Sequence, residues 1–303
     1  MRSRHTLSRR AVLAGALALT AGPTRAQAAP PSRAIPSSGE KIPPVGLGTW
    51  ITFNVGNDPA ARDGCAAVMQ AFFEAGGRMI DSSPMYASSQ DTVGYGLAKL
   101  GRRDKVFSAE KVWISSAERG AAQIEESRRE WGVPRFDLMQ VHNLVSWREH
   151  LPRLQEMKSA GRLRYVGITT SEGRRHDEFE RVMAEQALDF IQVTYNVLDR
   201  EVERRILPLA RERGIAVIAN RPFRQKALLL ALRDKKLPDW AGEIGAASWA
   251  QFVLKFVVSH PAITCAIPAT TRVDHVRENL AAAAGPMPDE ALRRRMVEYV
   301  EAL

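Results

Sequence analysis

The feature that most constrains this chain is an alternation: eight short apolar runs, each followed by a stretch of helical periodicity. The runs lie near 45–48, 79–81, 106–110, 136–141, 165–169, 190–194, 216–219 and 264–267. The helical patterns lie near 60–75, 90–100, 117–131, 147–160, 175–186, 200–213, 246–259 and 272–283. Strands joined through helices must be parallel, and parallel strands need both faces covered. Repeated eight times in one mid-sized stretch, the pattern predicts an α/β fold closed as a (β/α)8 barrel of the TIM type. An open doubly wound sheet is the alternative. Its cue is missing, because the first run carries Gly46-Leu47-Gly48-Thr49-Trp50 and no G-x-G-x-x-G turn.

Local chemistry supports these spans. Gly76-Gly77 ends the first helix and Gly214 ends the one before the seventh strand. Trp249, Phe252, Val253, Phe256 and Val257 recur at three- and four-residue spacing, a stripe that reads as core packing. The longest connection, 221–245, is rich in Lys, Arg and Leu, and within it Ala227 to Arg233 reads as helical. No repeat or low-complexity tract follows residue 28, so 29–303 reads as one domain.

Residues 1–28 read differently. Ser8-Arg9-Arg10-Ala11-Val12-Leu13 is a twin-arginine pattern, and Ala11 to Thr20 is a modest apolar segment too short to span a bilayer. Ala26-Gln27-Ala28 is a small-x-small cleavage site, which predicts a signal peptide, a mature start at Ala29 and export to the periplasm or beyond by the twin-arginine machinery. The segment holds Arg2, Arg4, Arg9, Arg10 and Arg25 and no acid, so its loss lowers the net charge from +9 to +4.

That charge, without a basic stripe interleaved with aromatics, gives no footprint for nucleic acid. The triplet Arg293-Arg294-Arg295, near Glu290 and Glu298, reads as a solvated helix face. Cys65 and Cys265 stand far apart in apolar segments, which excludes a disulfide framework and leaves a single bridge open. The six histidines show no H-E-x-x-H and no paired spacing, so no metal site is expected. No self-complementary apolar stripe forces assembly, and a monomer is expected.

Chemistry-bearing residues collect where strands end. Met79-Ile80-Asp81 closes a strand on an acid, and Pro84 and the serines place Tyr86 in the following loop. The next two strands finish on Lys111 and His142, and Gln192 sits within the run 190–194. Each alone has a bland explanation as surface charge or a satisfied core group. Their placement at successive strand ends points to one shared site.

With these motifs the chain resembles the aldo-keto reductases. Gly46-Leu47-Gly48-Thr49-Trp50, the Asp81/Tyr86 loop, Glu110-Lys111, Gln140-Val141-His142-Asn143, Gln192-Val193-Thr194-Tyr195-Asn196 and Ile267-Pro268-Ala269-Thr270-Thr271-Arg272 match that family's pattern in order, across about residues 42 to 283. The resemblance implies NADPH-dependent reduction of a small-molecule carbonyl by a tetrad of Tyr86, Asp81, Lys111 and His142. Tyr86 would donate the proton, Lys111 would lower its pKa, Asp81 would hold Lys111, and His142 would orient the carbonyl. It also implies NADP(H) contacts from Thr49, Trp50, Thr170, Gln192, Asn220, Pro222 and Phe223. Thr270 and Arg272 would meet the phosphates beside Ala269, which offers no charge where some family members carry lysine, and Glu278 and Asn279 would meet the adenine. Trp50, Met85, Trp113, Asn143 and Trp147 would form an apolar substrate pocket.

Two departures from the family pattern stand out. Thr170 occupies the place of an asparagine amide, and Asn220 the place of a tyrosine often stacked on the nicotinamide. Export adds a further difficulty, since a compartment outside the cytoplasm offers no obvious regeneration of NADPH. These points leave open an NADP(H)-binding sensor or regulatory subunit with little turnover, and an exported solute-binding protein.

Overall fold

The computed structural model describes residues 31–303; the twin-arginine segment and its cleavage site lie outside the described residues. A two-residue hairpin, β1 (Arg33–Ala34) and β2 (Lys41–Ile42), precedes eight parallel strands. These are β3 (Leu47–Gly48), β4 (Met79–Asp81), β5 (Phe107–Val112), β6 (Phe136–Val141), β7 (Leu163–Thr169), β8 (Phe190–Thr194), β9 (Ala216–Asn220) and β10 (Cys265–Ala266). They pair in sequence order from β3 to β10. Bridges Val45↔Ala266 and Gly48↔Ala269 then join the last strand to the first. The barrel predicted from the alternation is closed.

The helices between and after the strands are α1 (Pro59–Glu74), α2 (Ser89–Leu100), α3 (Ala117–Trp131), α4 (Trp147–Ser159), α5 (His176–Glu185), α6 (Ile206–Glu212), α7 (Ala227–Leu232), α8 (Trp249–Ser259), α9 (Val273–Ala281) and α10 (Glu290–Glu301). Capping follows local chemistry: Asp58 accepts from the Ala61 amide with Pro59 at the first helical position, and Gly132 ends α3 in the left-handed region. The stripe on α8 is core as read, with Phe252, Val253, Phe256 and Val257 buried.

Two packed layers result. One lies between the sheet and the helices. The other fills the barrel with Met79, Phe107, Leu138, Tyr165, Phe190 and Ala216, floored by Ile35 and Ile42 of the hairpin. Side chains alternate along a strand, so two and four residues beyond this floor the same inner face carries Asp81, Lys111, Gln140, Gln192 and Asn220. The barrel is thus apolar at its base and polar at its mouth. Register aligns the polar tier, with Lys111 opposite Gln140, Thr169 opposite Gln192 and Thr194 opposite Asn220.

Two local expectations change. The helix expected over 200–213 is a single 3-10 turn at Glu201–Glu203 followed by α6. Pro208 explains the break: in the third position of a helix starting at Ile206 its missing N–H costs nothing, whereas mid-helix it would remove a bond. Arg293 is not solvated but buried, donating to the Phe256 carbonyl and pairing with Glu203 at 3.2 Å, because it shares a face of α10 with Met296 and Val300. The hairpin had no expectation at all. Both cysteines are free and buried, and loss of hydration pushes the Cys65 thiol up to about 11.

Candidate active site

Asp81, Lys111, Tyr86 and His142 meet at the mouth of the barrel. Lys111 is fully buried and donates to Asp81 Oδ1 at 2.6 Å and to the Ser82 carbonyl at 2.7 Å. Asp81 Oδ2 accepts from Gln192 Nε2 at 2.9 Å and Gln140 Nε2 at 3.4 Å, so the acid is held from three strands. Thr49 donates to the Asp81 carbonyl at 2.9 Å. A buried ion pair persists only when its remaining hydrogen-bonding capacity is met in this way. Burial alone would lower the Lys111 ammonium, but the charges of Asp81, Tyr86 and Glu110 outweigh it and hold it above the ordinary lysine value.

Pro84–Tyr86 forms a 3-10 turn capped by Ser83. It brings the Tyr86 ring to 5.1 Å from Lys111 Nζ and edge-on to His142, ring centres 5.8 Å apart. Lys111 was expected to lower the Tyr86 pKa. Loss of hydration is the larger effect here, pushing the phenol up to about 12, and Lys111 offsets it only in part. Burial, then the charges of Lys111 and Arg174, hold His142 well below the usual histidine range, so the ring is neutral at pH 7. Its Nδ1 lies 2.8 Å from Ser83 Oγ, a contact the sequence did not suggest.

The cluster opens into a cavity of about 420 Å³. Thr49, Trp50, Met85, Asn143, Thr170, Gln192, Asn220, Pro222, Phe223 and Ala269 line it. Ile51 joins them unforeseen, exposed and at φ 66°, a backbone region that disfavours β-branched residues. Asn220 donates to the Thr170 carbonyl at 3.0 Å and accepts from Thr194 Oγ1 at 2.7 Å, while the Thr170 hydroxyl donates to the Arg174 carbonyl. The two departures from the family pattern are therefore joined to each other across the rim.

Glu172 bridges Arg174 at 2.8 Å and Arg221 at 2.6 Å beside the same cavity, with Lys226 nearby, so cations outnumber acids there. Neither arginine stood out in the sequence. Several expected residues lie outside this cavity. Trp113 is on the surface, and Trp147 is buried with its indole donating to Glu178 at 2.8 Å. Thr270 accepts from the Arg272 amide at 3.1 Å, and Glu278 accepts from Ser248. Asn279 is buried on α9, and Arg272 is exposed, gripping both oxygens of Asp274.

The profile of the aldo/keto reductase family matches residues 44–295, most of the chain. The chain belongs to that family. It is similar to methylglyoxal reductase YeaE of Escherichia coli (strain K12), 27% identical over 245 residues that cover 79% of this chain and 85% of the relative. It is also similar to L-galactose dehydrogenase of Arabidopsis thaliana, 26% identical over 288 residues, 82% of this chain and 87% of that one. An aldo/keto reductase from Klebsiella pneumoniae, solved with NADP and acetate, shares the fold at a TM-score of 0.74 and 24% identity, covering 86% of this chain and 93% of its own. This aldo/keto reductase is therefore an oxidoreductase by family, on a scaffold whose barrel mouth carries the buried acid–lysine pair.

Proposed function

We propose that the protein is an exported reductase that converts an aldehyde or ketone to an alcohol with hydride from NADPH. The observation that carries this reading is one cavity faced by Tyr86, His142 and Asp81, with Lys111 paired to Asp81 behind them and Gln192 beside it. A nicotinamide dinucleotide fits the residues present. Gln192 offers an amide to a carboxamide, and the excess of cations around Glu172 suits a pyrophosphate. When bound, the reduced nicotinamide supplies the hydride. Tyr86, still protonated at neutral pH, gives its proton to the carbonyl oxygen, and Lys111 stabilises the phenolate that this leaves. The neutral His142 orients the carbonyl, and Trp50, Ile51 and Met85 give the substrate an apolar, partly aromatic wall. Steady oxidation of NADPH by the purified protein with a simple aldehyde tests the reading.

One observation favours a second reading, an NADP(H)-binding sensor with little turnover. Thr170 and Asn220, which stand where the family pattern has an asparagine and a tyrosine on the nicotinamide, are engaged with each other and with the rim. Tight NADPH binding without oxidation by any aldehyde would select it.

Preference for the 2′-phosphate rests on Arg272. Its guanidinium already holds Asp274, so a phosphate must compete for it. Arg272→Ala is expected to weaken NADPH about tenfold and leave NADH nearly untouched. Asp274→Asn is expected to tighten NADPH. Fluorescence titration of both nucleotides decides it, and equal losses for the two would mean that Arg272 only supports α9.

Export rests on Arg9-Arg10. The twin-arginine route carries folded proteins, which suits a protein that takes up its nucleotide before leaving the cytoplasm. Changing both arginines to lysine is expected to retain the precursor inside the cell. Fractionation with an antibody to the mature protein checks this, and normal export of the double variant would defeat it.

A further inference from the structure

We propose that Ser83 is a positioning residue that sets the tautomer and ring orientation of His142, making Nε2–H the donor presented to the cavity. The inference rests on the carbonyl-reductase reading for its catalytic meaning, but its structural part stands independently. Ser83 is wholly buried and His142 nearly so, and their Oγ and Nδ1 atoms are 2.8 Å apart. Counting hydrogens decides the direction of that bond. Ser83 Oγ accepts from the Met85 amide at 3.2 Å, and among the described residues its only other partner is His142. If Nδ1 carried the hydrogen, Oγ would accept twice and its own O–H would point at nothing, a cost for a buried group. With the hydroxyl donating to Nδ1, every hydrogen is used: Met85 N–H to Oγ, Oγ–H to Nδ1, and Nε2–H left for the cavity. A ring that is neutral at pH 7 has one N–H, so the tautomer determines whether it can donate to a carbonyl oxygen at all.

The placement also explains the local sequence. Ser83 is the cap of the 3-10 turn that carries Tyr86, and the Ser83 carbonyl accepts from the Tyr86 amide at 2.9 Å. One residue thus fixes both the proton donor's loop and the histidine's orientation. The same bond prevents the imidazole from turning over, which would exchange Nδ1 with a carbon.

The test uses the full chain labelled with ¹⁵N-histidine, with His142 assigned from the His142→Asn spectrum. In the wild type, His142 is expected to show a pyrrole-type Nε2 and a hydrogen-bonded, pyridine-type Nδ1. Ser83→Ala should move the Nδ1 resonance and admit the other tautomer, while Ser83→Thr, which keeps the hydroxyl, restores the wild-type pattern. With NADPH and a simple aldehyde, Ser83→Ala should lower kcat about two- to tenfold without weakening NADPH binding, and Ser83→Thr should recover it. Should Ser83→Ala not fold, Ser83→Cys, with its weak S–H donor, should shift Nδ1 partway. A wild-type ring protonated on Nδ1, or a Nδ1 resonance unmoved by loss of the hydroxyl, overturns the proposal. So does an altered tautomer with unchanged kcat. A wild type that binds NADPH but turns over no aldehyde would instead remove the reductase reading and leave the tautomer result standing.

Discussion

Tyr86→Phe is expected to lose about 10²–10⁴-fold in aldehyde reduction while folding and binding NADPH as the wild type does. Only the hydroxyl goes, and the ring keeps its edge-on contact with His142 and its distance from Lys111. Because the phenol is pushed up to about 12, it stays protonated across the ordinary assay range. The alkaline side of the wild-type rate profile should therefore stay flat between about pH 7 and about pH 10, as far as this group is concerned. Initial rates across that window, for wild type and variant, give both results. A variant that reduces a good aldehyde at near the wild-type rate would show that another group delivers the proton.

Lys111→Met should damage activity and stability together. It removes the cation beside the phenolate, so turnover should fall by an order comparable to Tyr86→Phe. It also leaves Asp81 buried without its counter-charge, a change that typically costs roughly 3–5 kcal/mol. Gln192 and Gln140 still donate to Asp81, which places the loss toward the lower end. Because the Lys111 ammonium is held above its ordinary value of 10.5, its contribution is fully present below that pH and fades as pH rises through the folded value. On the Lys111 ammonium alone the stability gap between wild type and variant would hold to about pH 10 and narrow above it. Burial, however, already pushes the neighbouring Glu110 carboxyl up to about 8 against the pull of Lys111, and losing Lys111 raises it further. The gap should therefore widen as pH rises through about 8 before it narrows above about pH 10. Urea unfolding at several pH values measures this. A variant as stable as the wild type would mean that the pair contributes nothing net.

Much of the barrel was legible because its strands carry short, largely apolar runs bounded by turn chemistry. Residues 79–81, 136–141 and 190–194 form strands over the spans read from sequence. The strands that close the barrel were harder, since β3 and β10 keep only two residues each and much of the seam is made by isolated bridges. The hairpin under the barrel is shorter than any periodicity can register. Arg293 misled because a charged triplet reads as surface, and only packing shows that one of the three shares the buried face of α10. At the site, strand-end chemistry pointed to Asp81, Lys111 and His142, with Tyr86 in the following loop and Gln192 within its run, and the structure brings the five together. The balance of burial against charge at Tyr86 depends on solvent access, which no motif encodes. Ser83 and the Glu172 bridge depend on which side chains face each other across loops, and spacing along the chain does not specify that.

The seam has a mechanical consequence. Residues 45–48 and 266–269 are more than two hundred positions apart, yet their backbones pair directly, with Gly46 N–H on the Ala266 carbonyl and Gly48 N–H on the Pro268 carbonyl. The approach is so close that a Cβ on Gly48 would lie 2.7 Å from the Ile267 carbonyl oxygen. Gly48, Thr49 and Trp50 from one lip, and Ile267, Pro268 and Ala269 from the other, border the same cavity. Anything lodged there is a clasp across the join between the two ends of the barrel. Opening the seam would require its release, so at a hundred times its dissociation constant such a ligand would hold the barrel shut by about 2.7 kcal/mol. The ligand-free protein should come apart first along this line, and the loaded one should resist proteolysis there before it gains resistance anywhere else.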